Sequence, residues 1–272
     1  MSPARRFATD LYRGTAPYYD RYRPPYPDEL FGDLRQRLPL PGSGRVLDLG
    51  CGTGQIAFPL AGHAAEVIAI DQEEESVAFG RAKAEAVGAT NIVWLTGSAE
   101  TAAVRGSFQL VTVGNAYHRL DRPAVARRMR SWIVSGGGVA LLWADTPSQG
   151  DQQWQKAMKE LYIRWMAKAG TTDRVPSGWQ ADMEHDPHER VLVRAGFDYV
   201  GKFAFISEHI WTLETLIGFA YSTSLLSQLA LGEKASAFEH DVAERLAPYT
   251  SDGTFHQPIG YSYELALNPS QK

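Results

Sequence analysis

Three glycines at alternate positions, Gly50, Gly52 and Gly54, close the apolar run Val46-Leu-Asp-Leu49 and precede a helix-like stretch from Gln55. Glycine at such a turn lets the backbone bend sharply and lets a ligand approach without Cβ atoms in the way. A dinucleotide fingerprint is spaced G-x-G-x-x-G, whereas this one reads G-x-G-x-G with Asp48 inside the strand, which argues against a nicotinamide dehydrogenase. A second carboxylate, Asp71, ends the apolar run that follows Glu66, 17 residues beyond Gly54. A short, rigid acid at the tip of a second strand can accept both hydroxyls of a ribose, so the pair of motifs predicts a site for an adenosine ligand.

Histidines are the next candidates. His118 follows the apolar run Phe108 to Val113, at the strand edge where active-site groups of open parallel sheets gather. An imidazole there can act as a base toward an attacking hydroxyl; the alternative is a structural histidine or a pocket wall. His185 and His188 superficially resemble a metal cluster, but Pro187 between them argues against one regular helix face, and no metal site is expected.

Positioning these groups requires a scaffold, and the chain supplies a rhythm of short apolar runs: Val46 to Leu49, Val67 to Ile70, Ile92 to Leu95, Phe108 to Val113 and Val139 to Trp143. Segments of helical character alternate with them, the pattern of βαβ units in a parallel sheet. The region Tyr18 to Pro27, rich in tyrosine, arginine and proline, reads as an ordered loop leading into a helix at Asp28 to Leu38. Residues Asp151 to Ala169 form an amphipathic helix with an aromatic face. A helix near Pro187 to Ala195, a strand around Phe197 to Ile206, helices at Leu213 to Leu231 and Glu233 to Leu246, and a strand near Gly260 to Leu267 follow. The expectation is one domain over 1–272, with a core at about 41–145, 186–210 and 254–267. Helical cap insertions are expected at about 146–185 and 211–250, and an N-terminal lid at 1–40.

The sequence VLDLGCGTG followed by AIDQ resembles motif I and its acidic partner in class I S-adenosylmethionine-dependent methyltransferases. That resemblance implies an α/β, Rossmann-like fold: a mostly parallel seven-stranded sheet with helices on both faces. It implies that Asp48, Gly50, Gly52 and Gly54 back the methionine portion of the cofactor, that Asp71 contacts the ribose and that Gln72 lies beside the adenine. It extends to Gly97-Ser-Ala-Glu100, where Ser98 stands at a position often held by an aspartate and, with Ala99, falls to the adenine pocket. Asn115-Ala-Tyr-His118-Arg-Leu-Asp121 is similar to the A-F-H-W-x-D segment of small-molecule methyltransferases related to the ubiquinone-biosynthesis and trans-aconitate enzymes, with Arg119 in place of tryptophan. Asn115 joins the cofactor set on that basis. Tyr18 to Pro27 resembles the Y-x-x-x-R-P-x-Y-P entrance of the same relatives and implies Tyr19 and Arg23 near the cofactor's carboxylate. The implied cofactor is S-adenosyl-L-methionine, with S-adenosyl-L-homocysteine as product.

Composition narrows the partners. A 272-residue chain with net charge -4 lacks the basic excess of a nucleic-acid binder, which favours a small-molecule substrate. One cysteine, Cys51, excludes an intramolecular disulfide framework. The first dozen residues show neither signal peptide nor membrane span, so the expectation is a cytoplasmic protein without a membrane partner; the oligomeric state stays open. Methyl transfer to an oxygen, nitrogen or carbon of a metabolite in a capped pocket is the leading reading. The second is a protein that holds the cofactor but assists a rearrangement or regulates a partner without transferring methyl.

Overall fold

The computed structural model describes residues 11–175 and 178–269. Residues 1–10 of the expected N-terminal lid and 176–177 of the first insertion lie outside the described residues.

Two helices lead the chain, α1 (Ala16–Tyr22) and α2 (Asp28–Arg37). The alternating part follows: β1 (Arg45–Leu49), α3 (Ala57–Ala61), β2 (Glu66–Asp71), α4 (Glu74–Val87), β3 (Ile92–Thr96), β4 (Phe108–Gly114), α5 (Arg122–Trp132) and β5 (Ile133–Ala144). Next come α6 (Gln153–Ala169), α7 (Trp179–His185), α8 (His188–Arg194), β6 (Asp198–Thr212), α9 (Leu213–Tyr221), α10 (Gln228–Leu231), α11 (Ala235–Leu246) and β7 (Thr254–Leu267). The seven strands form one sheet in the order β3-β2-β1-β4-β5-β7-β6, with β7 antiparallel to both neighbours and the strands from β1 to β5 parallel. This is the predicted mostly parallel, Rossmann-like sheet.

Continuous apolar strands are needed because both sheet faces are covered. Successive side chains alternate between them: Val46, Val67, Ala69 and Leu110 belong to one core, Leu47, Leu49, Ile68 and Val111 to the other. Helices α2, α3 and α4 cover the first face through Leu30, Leu34, Leu60 and Val77, and α5 and α8 cover the second through Val125, Met129, Val191 and Leu192. The cap grows from the first core, which continues into Trp154, Met158, Leu161 and Trp165 of α6 and Phe238, Val242 and Leu246 of α11.

Three elements differ from the sequence expectation. The segment read as a loop at Tyr18 to Pro27 is helical as far as Tyr22, because α1 gains a tertiary partner. Tyr22 lies flat on Gly218 of α9, where any Cβ would sit 2.4 Å from its ring, and its hydroxyl donates to Glu214 at 3.1 Å. Strand β6 runs to Thr212, and β7 begins at Thr254 rather than near Gly260. The ribbon they form extends past β5 and buries Trp211, Phe255 and Ile259 against cap side chains, with Trp211 5.5 Å from Phe219 and Phe255 5.4 Å from Trp154. The helix expected over Leu213 to Leu231 breaks after Tyr221. There Ser222 and Thr223 turn their hydroxyls back onto the carbonyls of Phe219 and Ala220, at 2.6 and 2.7 Å. Such side chains compete with the helical ladder, and the break opens Ser222 to Ser227 toward the interior.

Trp94 of β3 packs between Gly54 and Gly80: Cβ atoms there would fall 2.6 and 2.3 Å from its indole ring. Gly80→Ala therefore gains about 1 kcal/mol of helix propensity but overpacks the core at a cost of about 1–3 kcal/mol. A net fall in the thermal midpoint of a few degrees is expected by calorimetry, and an unchanged or raised midpoint would show that the indole moves aside freely.

Candidate functional site

The strand order reverses between β1 and β4, and a crevice at the carboxyl ends of those strands is where open α/β sheets bind ligands. A cavity of about 340 Å³ lies there, lined by Gly50 and Gly52 from the loop after β1, Asp71 and Gln72 after β2, Ser98 and Ala99 after β3, and Asn115 after β4. Tyr19 and Arg23 close it from the N-terminal side, and His118, Trp143, Tyr162, Trp179 and Phe219 from the acceptor side and the cap.

The glycine loop is fastened to β2. Gly50 and Cys51 donate their N–H groups to the Ile70 carbonyl at 2.8 and 3.1 Å, and Gly52 N–H donates to Asp71 Oδ2 at 2.8 Å. Gly50 and Gly52 hold φ of 66° and 52°, a left-handed backbone that a side chain would strain. The second Asp71 oxygen accepts the Glu73 N–H at 2.9 Å. A carboxylate has about four lone-pair positions, and with the Gln72 N–H also bonded to it Asp71 retains capacity for a further donor. Burial raises the Asp71 pKa, with the Glu73 and Gly52 N–H groups and Arg119 opposing the shift.

Asp48 and Gly54, which the resemblance implied as cofactor contacts, do not line the cavity. Gly54 is pressed against Trp94 and Phe58. Asp48 is buried in β1, where Thr112 Oγ1 donates to it at 2.8 Å, and burial lifts its pKa to about 7. Both support the loop from behind. Asn115 does reach the wall, yet its side chain is engaged elsewhere: Nδ2 donates to the Tyr26 hydroxyl at 3.1 Å and Oδ1 accepts the Ala144 N–H at 3.2 Å. With φ of 48°, it is the sole non-glycine residue of positive φ among the described residues, a conformation asparagine tolerates. Its amide thus braces β4 against β5 and the entrance.

Ser98 donates to Glu100 Oε2 at 2.5 Å, and Glu100 also lines the cavity. The carboxylate absent at position 98 is thus supplied two residues on. Glu100 stood inside the quoted motif, but only the turn after β3 brings its acid to the wall.

His118 is flanked by Trp143 at 5.4 Å and Trp179 at 5.0 Å, and its Nε2 accepts from Arg119 Nε at 3.1 Å. Burial first, then the charge of Arg119, drives its pKa to about 3. It is therefore neutral at physiological pH and a weak proton acceptor. These three rings also border a second cavity of about 400 Å³, whose other walls carry His188, Lys202, Ser262 and Glu264. Arg23 is held between the rings of Tyr19 and Phe219, at 4.7 and 4.6 Å, with its Nε donating to Ser222 Oγ at 2.9 Å. The cap residues Tyr162, Phe219, Thr223 and Ser224 carry no local motif; only folding brings them to the wall.

A Rossmann-like sheet with a glycine loop at the tip of β1, tied to an acid at the tip of β2, is the arrangement of a class I methyltransferase. The chain matches, over residues 46–137, the family model described as a methyltransferase domain. It is similar to a ubiquinone biosynthesis O-methyltransferase of Cereibacter sphaeroides, 29% identical over 194 residues that cover 69% of this chain and 74% of that protein. It is also similar to an uncharacterized methyltransferase of Mycobacterium tuberculosis, 33% identical over 149 residues, which cover 53% of this chain and only 56% of that protein. Among solved structures, one from Anaeromyxobacter dehalogenans provisionally named a type II methyltransferase superposes with a TM-score of 0.65 at 18% identity. It covers 92% of this chain and 100% of that one, a likeness of fold. No helix among the described residues is long and apolar enough to cross a membrane.

Two pH measurements test the electrostatics. Because the folded-state pKa of Asp48 is raised, the folded protein retains its proton between about pH 4 and 7, where the unfolded chain has released it. Its contribution to stability falls as pH rises through that window. Asp48→Asn removes the fall, so its melting temperature, relative to the unaltered protein, should rise by a few degrees from pH 5 to pH 8. For His118, nitrogen chemical shifts of the imidazole should stay those of the neutral ring down to pH 5; titration near 6.5 would refute the Arg119-paired, desolvated state.

Proposed function

We propose that this enzyme transfers a methyl group from S-adenosylmethionine to a small-molecule acceptor enclosed beneath the α6 and α9 cap. The observation that carries the reading is one continuous wall. It has the bare glycine loop and Asp71 at one end, and the rings of His118, Trp143 and Trp179 at the other. The residues suit the cofactor: Gly50 and Gly52 present backbone without side chains, Asp71 presents an acid with capacity for a further donor, and Gln72, Ser98, Ala99 and Glu100 form the far wall. S-adenosylmethionine supplies an electrophilic methyl on a sulfonium whose charge is neutralised as the methyl leaves.

The chain's own task is orientation and exclusion of water. The loop and Asp71 hold the nucleoside end, Arg23 and Tyr19 close the entrance, and the cap aromatics line the acceptor up with the methyl. Gln149 and Gln180, which border both cavities, offer polar contacts to a mostly aromatic chamber. The ubiquinone biosynthesis O-methyltransferase among the relatives supports a small-molecule acceptor. His118 serves here as an aromatic wall held by Arg119, and the acceptor brings its own nucleophilicity, because an imidazole of pKa about 3 adds little as a base at neutral pH.

Calorimetric titration with S-adenosylhomocysteine tests the reading. Asp71→Ala should weaken its affinity at least about tenfold, since bonds to charged groups are worth about 1.5–3 kcal/mol. Retained affinity in a folded Asp71→Ala protein would sink the assignment.

A further inference from the structure

Strand β6 ends the sheet, and its outer side meets no other strand among the described residues. It runs for 15 residues, against a usual strand of about 5–6. Such an edge presents a row of unpaired N–H and C=O groups, a template for another strand. Its even-numbered side chains from Val200 to Ile210 face solvent, and large apolar ones are among them: Ile206 is 76% and Ile210 55% exposed. Neither has an apolar partner directly across the strand pair, because Ile206 lies opposite Gly260 and Ile210 opposite His256. The same row carries Lys202 and Glu208, both exposed and neither in an ion pair among the described residues.

The order of these side chains is self-complementary. A two-fold axis normal to the sheet sets a second β6 antiparallel to the first and keeps each face on its own side, so even-numbered residues come opposite even-numbered ones. With Phe205 on the axis, Lys202 meets the partner's Glu208 and Ala204 meets the partner's Ile206, and symmetry makes each pair twice. Opposite charges and apolar side chains placed directly across an antiparallel pair, at Cβ separations of about 4.5–5.5 Å, stabilise it. On the other face Phe205 meets its own copy. That ring is partly buried, stacked on Tyr263 at 6.1 Å, and the partner's Phe205 covers the flank left open. Sliding one copy by two residues in either direction sets Lys202 against an isoleucine and leaves Glu208 with no cation opposite. The break in register with β7, between Tyr199 and Gly201, lies outside this stretch.

We propose that the outer edge of β6 pairs antiparallel with β6 of a second copy of this chain, centred on Phe205, so that the two sheets run on as one. The pairing reaches the acceptor side of each protomer, since Lys202 also stands in the wall of the second cavity, opposite Glu264 of β7. The partner's Glu208 then holds the ammonium of Lys202 at the outer rim of that wall.

Sedimentation velocity over a micromolar concentration series tests the pairing. The unaltered protein should form a dimer. Lys202→Glu and Glu208→Lys each set like charges opposite one another at both ends of the pairing, and each should weaken dimerisation about tenfold or more. An equimolar mixture of the two variants restores opposite charges and should recover a dimer containing one of each. Ile206→Lys, at an exposed position, should weaken dimerisation likewise. Melting curves check that every variant folds; if Lys202→Glu fails beside Glu264, Glu208→Lys and Ile206→Lys carry the test. An unaltered protein that stays monomeric across the series overturns the proposal and makes Lys202 and Glu208 guards of a bare edge. A dimer indifferent to all three substitutions overturns it by placing the contact on another surface, and weakened single variants that the mixture does not rescue overturn the register.

Discussion

Everything in the site hangs on the double fastening of the glycine loop to β2. The Ile70 carbonyl takes the N–H groups of Gly50 and Cys51, and one residue later the Asp71 carboxylate takes that of Gly52. Adjacent residues of one strand thus set the loop's path with bonds of opposite origin, one from the main chain and one from a charged side chain. A loop with glycine at every second position has few side chains to restrain it, and conformational freedom is the cost glycine carries. The same carboxylate that can meet a ribose therefore also shapes the surface beside it, and ligand affinity and loop order are coupled at Asp71.

Behind the loop, packing does the complementary work. Trp94 fills the space between Gly54 and Gly80 so closely that neither position has room for a methyl group. Asp48 sits buried with Thr112 as its partner, at the energetic disadvantage its raised pKa records. A cation brought to the cavity would favour the ionised form of such a group, which links the buried acid to the positive charge of the proposed donor.

The cap packs on the same apolar cluster as one face of the sheet. Its α6 and α11 share a cluster with α2, α3 and α4, and Trp165 is tied to α11 by a 2.6 Å bond to Asp241, which Arg164 also pairs. Where the cap meets the cavity, regular structure gives out: the helix ends at Tyr221, and the hydroxyl-rich turn beyond it offers Ser222 to Arg23 and Thr223 and Ser224 to the wall. Arg23, on the N-terminal segment, is thereby locked to the cap across almost two hundred residues of sequence.

The β1 to β5 rhythm, the glycine loop and Asp71 were legible in the sequence because each is local. An apolar run, a turn and an acid at a strand tip carry their meaning within a few residues, and the backbone geometry they need is short-range. What the sequence could not decide was anything set by long-range contact. Tyr18 to Tyr22 reads as a loop until Gly218 offers it a surface, and residues 206–212 and 254–260 become strand by pairing with each other. Gly54 and Asp48 carry the right letters for the cavity but are turned to its supports, while Glu100 and Tyr162, with no such role readable in advance, stand in the wall. Which side of a turn faces a ligand depends on the volume that neighbouring elements leave, and that volume exists only once the sheet, the ribbon and the cap have closed around it.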